Sequence, residues 1–387
     1  MRRICFFTGT RAEYGLLSRL MRMVDISDEC ELQIIATNMH LSPEFGLTYR
    51  EIENDGFRIN KKVEILLSSD TPTGTLKSMG LASIGFADAL AELKPDLCVI
   101  LGDRYEMLSA AQSAMIFKIP IAHIAGGALT EGAYDDAIRH SITKMSHLHF
   151  TSTEEYRQRV IQMGEQPEYV FWTGALGADN IASEQTMGLE ELENSLGFNL
   201  GKKYLLVTFH PVTLESSTAE NQCLDLLKAL DEINKDYQLL FTLPNSDTDG
   251  RIIIKLINDF VCQEPSRRYA ISSLGKKRYY TALKYCSAVI GNSSSGLAEA
   301  PSFHKPTLNI GDRQKGRTRA ESVVDCVSTF QSIREGLARV LSSEMNEIAA
   351  SVKNPYYKKD ATMEIFNYIS TYPLEGLVRK HFYDIKR

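Results

Sequence analysis

Short, mostly apolar runs and longer amphipathic stretches alternate along the first half of the chain. Ile4–Thr8, Leu32–Thr37, Leu97–Leu101, Ile119–Ile124, His147–Ser152 and Tyr169–Thr173 are bounded by Gly, Pro or charged residues. Runs of this kind predict strands buried on both faces, and hence a parallel sheet covered by helices. Thr75–Leu93 and Tyr134–Met145 read as helices between them. Gly197–Lys203 is a polar break, after which the pattern restarts. Tyr204–Phe209, Gln238–Leu243, Tyr269–Ser273, Ala288–Gly291 and Thr307–Ile310 are the strands predicted there, with helices over Ala219–Ile233 and Ser332–Leu341. Asp360–Tyr372 reads as a last helix. Two βα arrays in tandem predict an α/β chain of two Rossmann-like, doubly wound domains, 1–175 and 176–360, with the ligand site in the cleft between them. A C-terminal segment, 361–387, is expected to brace the first domain.

Composition narrows the class. A chain of 387 residues is long for one core, which agrees with two domains. The hydrophobic and charged shares, 43% and 24%, are those of a soluble globular protein. A formal charge of -6 argues against a nucleic-acid partner and leaves an anionic small molecule open. Seven widely spaced cysteines without a CxxC pair predict neither a zinc site nor a disulfide framework, as in a reducing cytosol. No stretch reads as a signal peptide or membrane span, so the expectation is a cytoplasmic protein without a membrane partner.

Ligands of open parallel sheets bind beyond the carboxyl ends of the strands, so the residues just after each strand carry the candidate chemistry. Thr8-Gly9-Thr10-Arg11-Ala12-Glu13-Tyr14 is a small-residue turn whose Arg11 can reach a phosphate; a tight turn with a surface Arg11–Glu13 ion pair explains it equally simply. Gly291-Asn292-Ser293-Ser294-Ser295-Gly296 is a candidate anion cradle, and Glu299, one turn into the helix expected next, can accept both hydroxyls of a ribose. A serine N-cap is the plainer reading, although one cap needs only one serine. His210, in Phe209-His210-Pro211-Val212-Thr213, ends a strand and can donate to a diphosphate or act as acid or base. Gly311 through Arg317 is a basic loop in which Arg313 is a candidate phosphate contact. Asp103 and Arg104 follow the strand Leu97–Leu101, and Glu131 lies in the loop Ala125–Gly132. Asp135 and Asp136 begin a helix, where dipole complementation alone accounts for an isolated acidic pair.

Together the corners Gly9–Gly15, Leu101–Glu106, Thr130–Phe150, Gly291–Gly296 and Gly311–Arg317 resemble the hydrolysing UDP-N-acetylglucosamine 2-epimerases of bacterial sialic-acid biosynthesis. They equally resemble relatives of that family acting on UDP-diacetylbacillosamine for legionaminic acid. The resemblance spans nearly the whole chain. It implies a fold similar to GT-B glycosyltransferases, with UDP held mainly by the second domain. By position, Arg11, His210, Ser293, Ser294 and Glu299 look like UDP ligands, with Arg104, Ser295, Gly296 and Arg313 beside them. Asp103 and Asp135 sit where the family places catalytic carboxylates. Many members carry an acid within the His-Ile-X-Gly-Gly-X corner, where this chain has Ala125 and Ala128. Either Glu131 or Asp136 takes that role, or the acid is dispensable, or activity is lost. The resemblance also implies a homodimer or homotetramer.

The reaction so implied converts UDP-N-acetylglucosamine and water to N-acetylmannosamine and UDP. It runs by anti elimination to 2-acetamidoglucal, followed by hydration, with no cofactor and no metal. The same chemistry on UDP-2,4-diacetamido-2,4,6-trideoxyglucose, an acceptor-dependent GT-B glycosyltransferase and a non-catalytic UDP-sugar sensor are the alternatives.

Overall fold

The computed structural model describes residues 1–385 apart from 68, 70, 132, 184, 185, 213–217 and 245–249. Gly132 and Thr213, each the last residue of a candidate corner, therefore lie outside the described residues. The chain forms two compact units. One comprises Met1–Ala128, Asp135–Asn180 and Tyr356–Arg387; the other comprises Leu129–Tyr134 and Ile181–Pro355.

The first unit is built on seven parallel strands: β1 (Arg2–Thr8), β2 (Cys30–Thr37), β3 (Lys61–Val63), β4 (Leu97–Leu101), β5 (Ile121–Ile124), β6 (Leu148–Thr151) and β7 (Val170–Trp172). Their order is β3-β2-β1-β4-β5-β6-β7, so the winding reverses between β1 and β4. Pairing there sets Ile4 against Leu97 and Phe6 against Val99, all fully buried. Burial of each such side chain contributes about 1.5–3 kcal/mol, which is why these apolar runs become central strands. The strand expected from Ile119 begins at Ile121, because Pro120 has no N–H for the ladder. The helix Ala361–Thr371 packs on this unit: Tyr368 stacks on Phe171 with centroids 3.8 Å apart, and Arg2 donates to the carbonyls of Ile369 and Tyr372 at 2.8 Å each.

The second unit holds six parallel strands: β8 (Tyr204–Thr208), β9 (Gln238–Thr242), β10 (Arg268–Ile271), β11 (Ala288–Gly291), β12 (Thr307–Ile310) and β13 (Val323–Cys326). The order β10-β9-β8-β11-β12-β13 reverses between β8 and β11. Its core joins Leu205, Val207, Leu239, Phe241, Ile290 and Leu308 to the buried faces of the flanking helices. Among the described residues no helix is long and apolar enough to cross a membrane.

Candidate functional site

In each sheet, the two central strands at which the winding reverses end in polar corners, which is where open α/β sheets take their ligands. In the first unit these are the turns after β1 and β4; in the second, those after β8 and β11.

After β1, Thr10 caps the helix Arg11–Asp25 in a capping box with Glu13. The Arg11–Glu13 surface pair expected as the plain reading does not form: Arg11 is salt-bridged to Glu51, and the buried Glu13 turns back to accept from Gly9 and Thr10 at 2.8 and 3.1 Å. Capping explains the difference, since the third residue of a helix reaches the N-cap N–H groups. After β4, the Gly102 carbonyl is held by the ring of His123 at 2.8 Å, and Gly102 donates to Ile124 at 3.0 Å. Burial pushes the His123 imidazole down to about 3, so the ring is neutral beneath the turn. Asp103, projecting from this turn, is salt-bridged to the fully buried Arg139 of the helix Asp135–Met145. The Arg139 guanidinium also donates to the Ala128 carbonyl at 2.7 Å and to Asp136 at 3.3 Å. Arg104 bonds Glu106 at 2.8 Å. Asp135 is the first residue of its helix, one turn from Arg139.

In the second unit, Asn292 is the hub. Fully buried, it accepts from the His210 N–H at 2.7 Å and donates to the His210 carbonyl at 2.8 Å, which fixes the corner after β8 against the corner after β11. Its own carbonyl receives Gln314 at 2.8 Å and Arg313 at 3.1 Å, so the basic loop after β12 is tied to the same point. Gly291 leaves β11 with φ +130°, and a Cβ there would lie 1.9 Å from the Thr208 carbonyl oxygen; no other residue fits.

The serine loop departs from expectation in one respect. The helix after it is only Ser295–Ala298 long, and Glu299 closes it as C-cap rather than lying inside a longer helix. Pro301 explains the early stop. Ser294 occupies the N-cap position without a side-chain capping bond, while the Ser293 hydroxyl accepts the Ser295 N–H at 3.4 Å. Tyr279, from the helix Gly275–Tyr285, donates to the Ser295 hydroxyl at 2.6 Å. Burial pushes the Glu299 carboxyl above its ordinary value, partly offset by its hydrogen bond with Ser295 and the charge of Arg317. Arg317 donates to the Leu129 carbonyl and the Thr130 hydroxyl at 3.1 Å each, while the half-exposed Glu131 lies 3.8 Å from Lys315.

Asp103, Arg104, Arg11 and Asp135 thus belong to the first unit, and Glu131, His210, Ser293, Ser294, Ser295, Gly296, Glu299 and Arg313 to the second. Arg139, Asn292, His123 and Tyr279 were not singled out from sequence. Arg139, His123 and Asn292 fall inside runs that were, but their partners are distant in the chain.

Two doubly wound parallel sheets with polar corners at both reversal points define a double Rossmann-like α/β protein. The family model described as UDP-N-acetylglucosamine 2-epimerase matches residues 22–370, and the chain belongs to this family, in its hydrolysing branch. A GDP/UDP-N,N'-diacetylbacillosamine 2-epimerase (hydrolyzing) from Campylobacter jejuni is 44% identical over 89% of each chain. Polysialic acid biosynthesis protein P7 from Escherichia coli is 40% identical over 100% of this chain and 98% of its own. The Neisseria meningitidis UDP-GlcNAc 2-epimerase bound to UDP-GlcNAc shares the GT-B-like fold at a TM-score of 0.80, with 19% identity, covering 95% of this chain and 99% of that one.

Proposed function

We propose that the chain hydrolyses a UDP-linked 2-acetamido sugar with inversion at C2. UDP-N-acetylglucosamine is the first reading of the substrate, and N-acetylmannosamine with UDP the products. The observation that carries this reading is the pair of polar corners at the reversal point of each sheet, in a member of this family. In it, the serine loop, Arg313 and His210 hold the diphosphate, and Glu299, braced through Ser295 and Tyr279, takes the ribose. Arg11 and Arg104 supply further positive charge.

UDP leaves C1 as C2 gives up its proton, forming 2-acetamidoglucal. The C2 proton is weakly acidic, so charge at C1 must develop first, and stabilising the departing diphosphate is a large share of the catalysis. Asp103 and Asp135 divide the acid and base work on opposite faces of the ring. Asp103, salt-bridged to Arg139, is the candidate base. Water then adds at C1 and a proton returns to C2 on the other face. On this scheme Asp103 and Asp135 carry the acid and base work without an acid at Ala125 or Ala128.

A second reading, UDP-2,4-diacetamido-2,4,6-trideoxyglucose, is favoured by the 44% identical relative named for diacetylbacillosamine. Incubating the protein with each UDP-sugar in D₂O, with no acceptor, and following products by proton NMR separates the readings. Release of UDP with the 2-epimeric sugar deuterated at C2 is the expected result, and the faster substrate decides between them. Turnover only when an acceptor is added would replace hydrolysis by glycosyl transfer. UDP binding with neither sugar consumed would leave a sensor.

A further inference from the structure

The capping box accounts for one oxygen of Glu13 and leaves the other unexplained. Glu13 Oε2 takes the Gly9 and Thr10 N–H groups, whereas Oε1 is buried without a partner. Glu106, fully buried at the start of the helix Tyr105–Ile116, shows the same division: Oε1 accepts from Arg104 and Oε2 is buried without a partner. Both carboxyls lie against Gly9: Glu13 Oε2 accepts its N–H at 2.8 Å, and a Cβ there would lie 2.3 Å from Glu106 Oε1. Ionising one of two neighbouring buried carboxyls opposes ionising the other, and a single hydrogen between their orphaned oxygens would satisfy both.

We infer that Glu13 and Glu106 hold one proton in common, Glu13 Oε1 donating it to Glu106 Oε2, and that the protonated pair positions the Gly9–Arg11 turn and Arg104 for the anion they contact. The second half rests on the proposed reading of that turn as a UDP contact. The proton resides on Glu13: burial first, and then the charge of Glu106, push its carboxyl up to about 8, against the pull of Arg104 and the two N–H donors. Other groups around the turn do not supply a competing proton. His40, which bonds the Thr8 and Thr48 hydroxyls, is pushed down by burial to about 4, and Arg11 is engaged by Glu51. Both glutamates are positioning residues, since neither oxygen pair needs to touch the substrate.

A carboxyl raised from its ordinary 4.5 to about 8 holds a proton in the folded state that the unfolded chain has lost. Its contribution to stability is complete below about 4.5 and disappears as the pH rises through about 8. Glu13→Gln makes the protonated geometry permanent: the amide oxygen accepts from Gly9 and Thr10, and the amide N–H donates to Glu106. The test compares the full-length wild type, Glu13→Gln and Glu13→Ala between pH 6 and 9, by melting temperature and by UDP affinity in calorimetry.

The wild type is expected to lose several degrees more in melting temperature over this range than Glu13→Gln. Its UDP affinity should fall at least threefold where that of Glu13→Gln stays level. Glu13→Ala should bind UDP weakly throughout, with Glu13→Gln as the rescue. Parallel melting slopes for wild type and Glu13→Gln overturn the shared proton. Diverging slopes with a pH-independent UDP affinity overturn the positioning role. If no form binds UDP while the slopes still diverge, the pair stands and the UDP reading of the turn is what fails.

Discussion

In the proposed reading, the residue that organises the first unit's acids is Arg139. It is buried and holds Asp103, Asp136 and the Ala128 carbonyl at once. Asp103→Asn leaves that guanidinium with Asp136 and Ala128, so the fold should survive while the base is lost. We expect natively folded protein by thermal unfolding, with UDP release lowered by at least two orders of magnitude, as removal of a general base requires. Near-normal turnover would sink the assignment of Asp103. Arg139→Met removes the common partner of two acids and should cost about 3–5 kcal/mol of stability as well as turnover. The contrast shows what was legible. The corners that carry Asp103, His210 and the serines could be read because glycines and strand ends mark them locally. The bonds of Arg139 and of Asn292 within those runs could not, because their partners lie 36 and 82 positions away.

At the scale of elements, the central strands were legible because fully buried strands are continuous apolar runs. Of the four edge strands, β7 and β10 were foreseen and β3 and β13 were not: Lys61-Lys62-Val63 carries two lysines, and Val323-Val324-Asp325-Cys326 is short and mixed. A half-solvated edge tolerates such sequences, which lack the apolar signature of a central strand. The helix Ala361–Thr371 makes the same point at its start. Asp360 stands at the N-cap in a left-handed conformation and makes no side-chain cap. Asp179, from the helix Leu176–Ser183, caps it instead, taking the Thr362 N–H at 3.0 Å, the Thr362 hydroxyl at 2.6 Å and Arg19 at 3.0 Å. A cap supplied from another element leaves no local trace. Asp179→Ala should therefore cost about 2–3 kcal/mol, more than an ordinary cap, because three donors are left buried or half-buried. Urea unfolding measures it, and a loss below ~0.5 kcal/mol would show that the core, aromatic and Arg2 contacts hold the helix without this cap.

For the whole molecule, the two units differ in how they hold protons, and acid should therefore separate them. His40, His123 and His147 lie in the first unit, and burial pushes them down to about 4, 3 and 4; His149 is lowered by burial too. Each stays neutral when folded but takes a proton when unfolded once the pH falls below the ordinary 6.5. The unfolded state then binds more protons, so stability falls with falling pH, by about 1.4 kcal/mol per pH unit for each such histidine. Three together give ~4 kcal/mol per unit; the raised Glu13 carboxyl works the other way above about pH 4.5 and leaves ~3, which exhausts an ordinary stability of roughly 5–15 kcal/mol within about two to five pH units. In the second unit Glu264 is lowered by Arg267 from 4.5, and its contribution is lost only at pH values below that, while burial raises Glu299, which does not lose stability in acid. Trp172, the sole tryptophan, lies in β7 of the first unit and reports on it alone, whereas far-UV circular dichroism reports on both. We expect the Trp172 fluorescence transition near pH 5, with a large part of the dichroism retained until lower pH. Coincident transitions would mean that the two sheets unfold as one cooperative body, and that the histidines of the first unit destabilise the whole chain together.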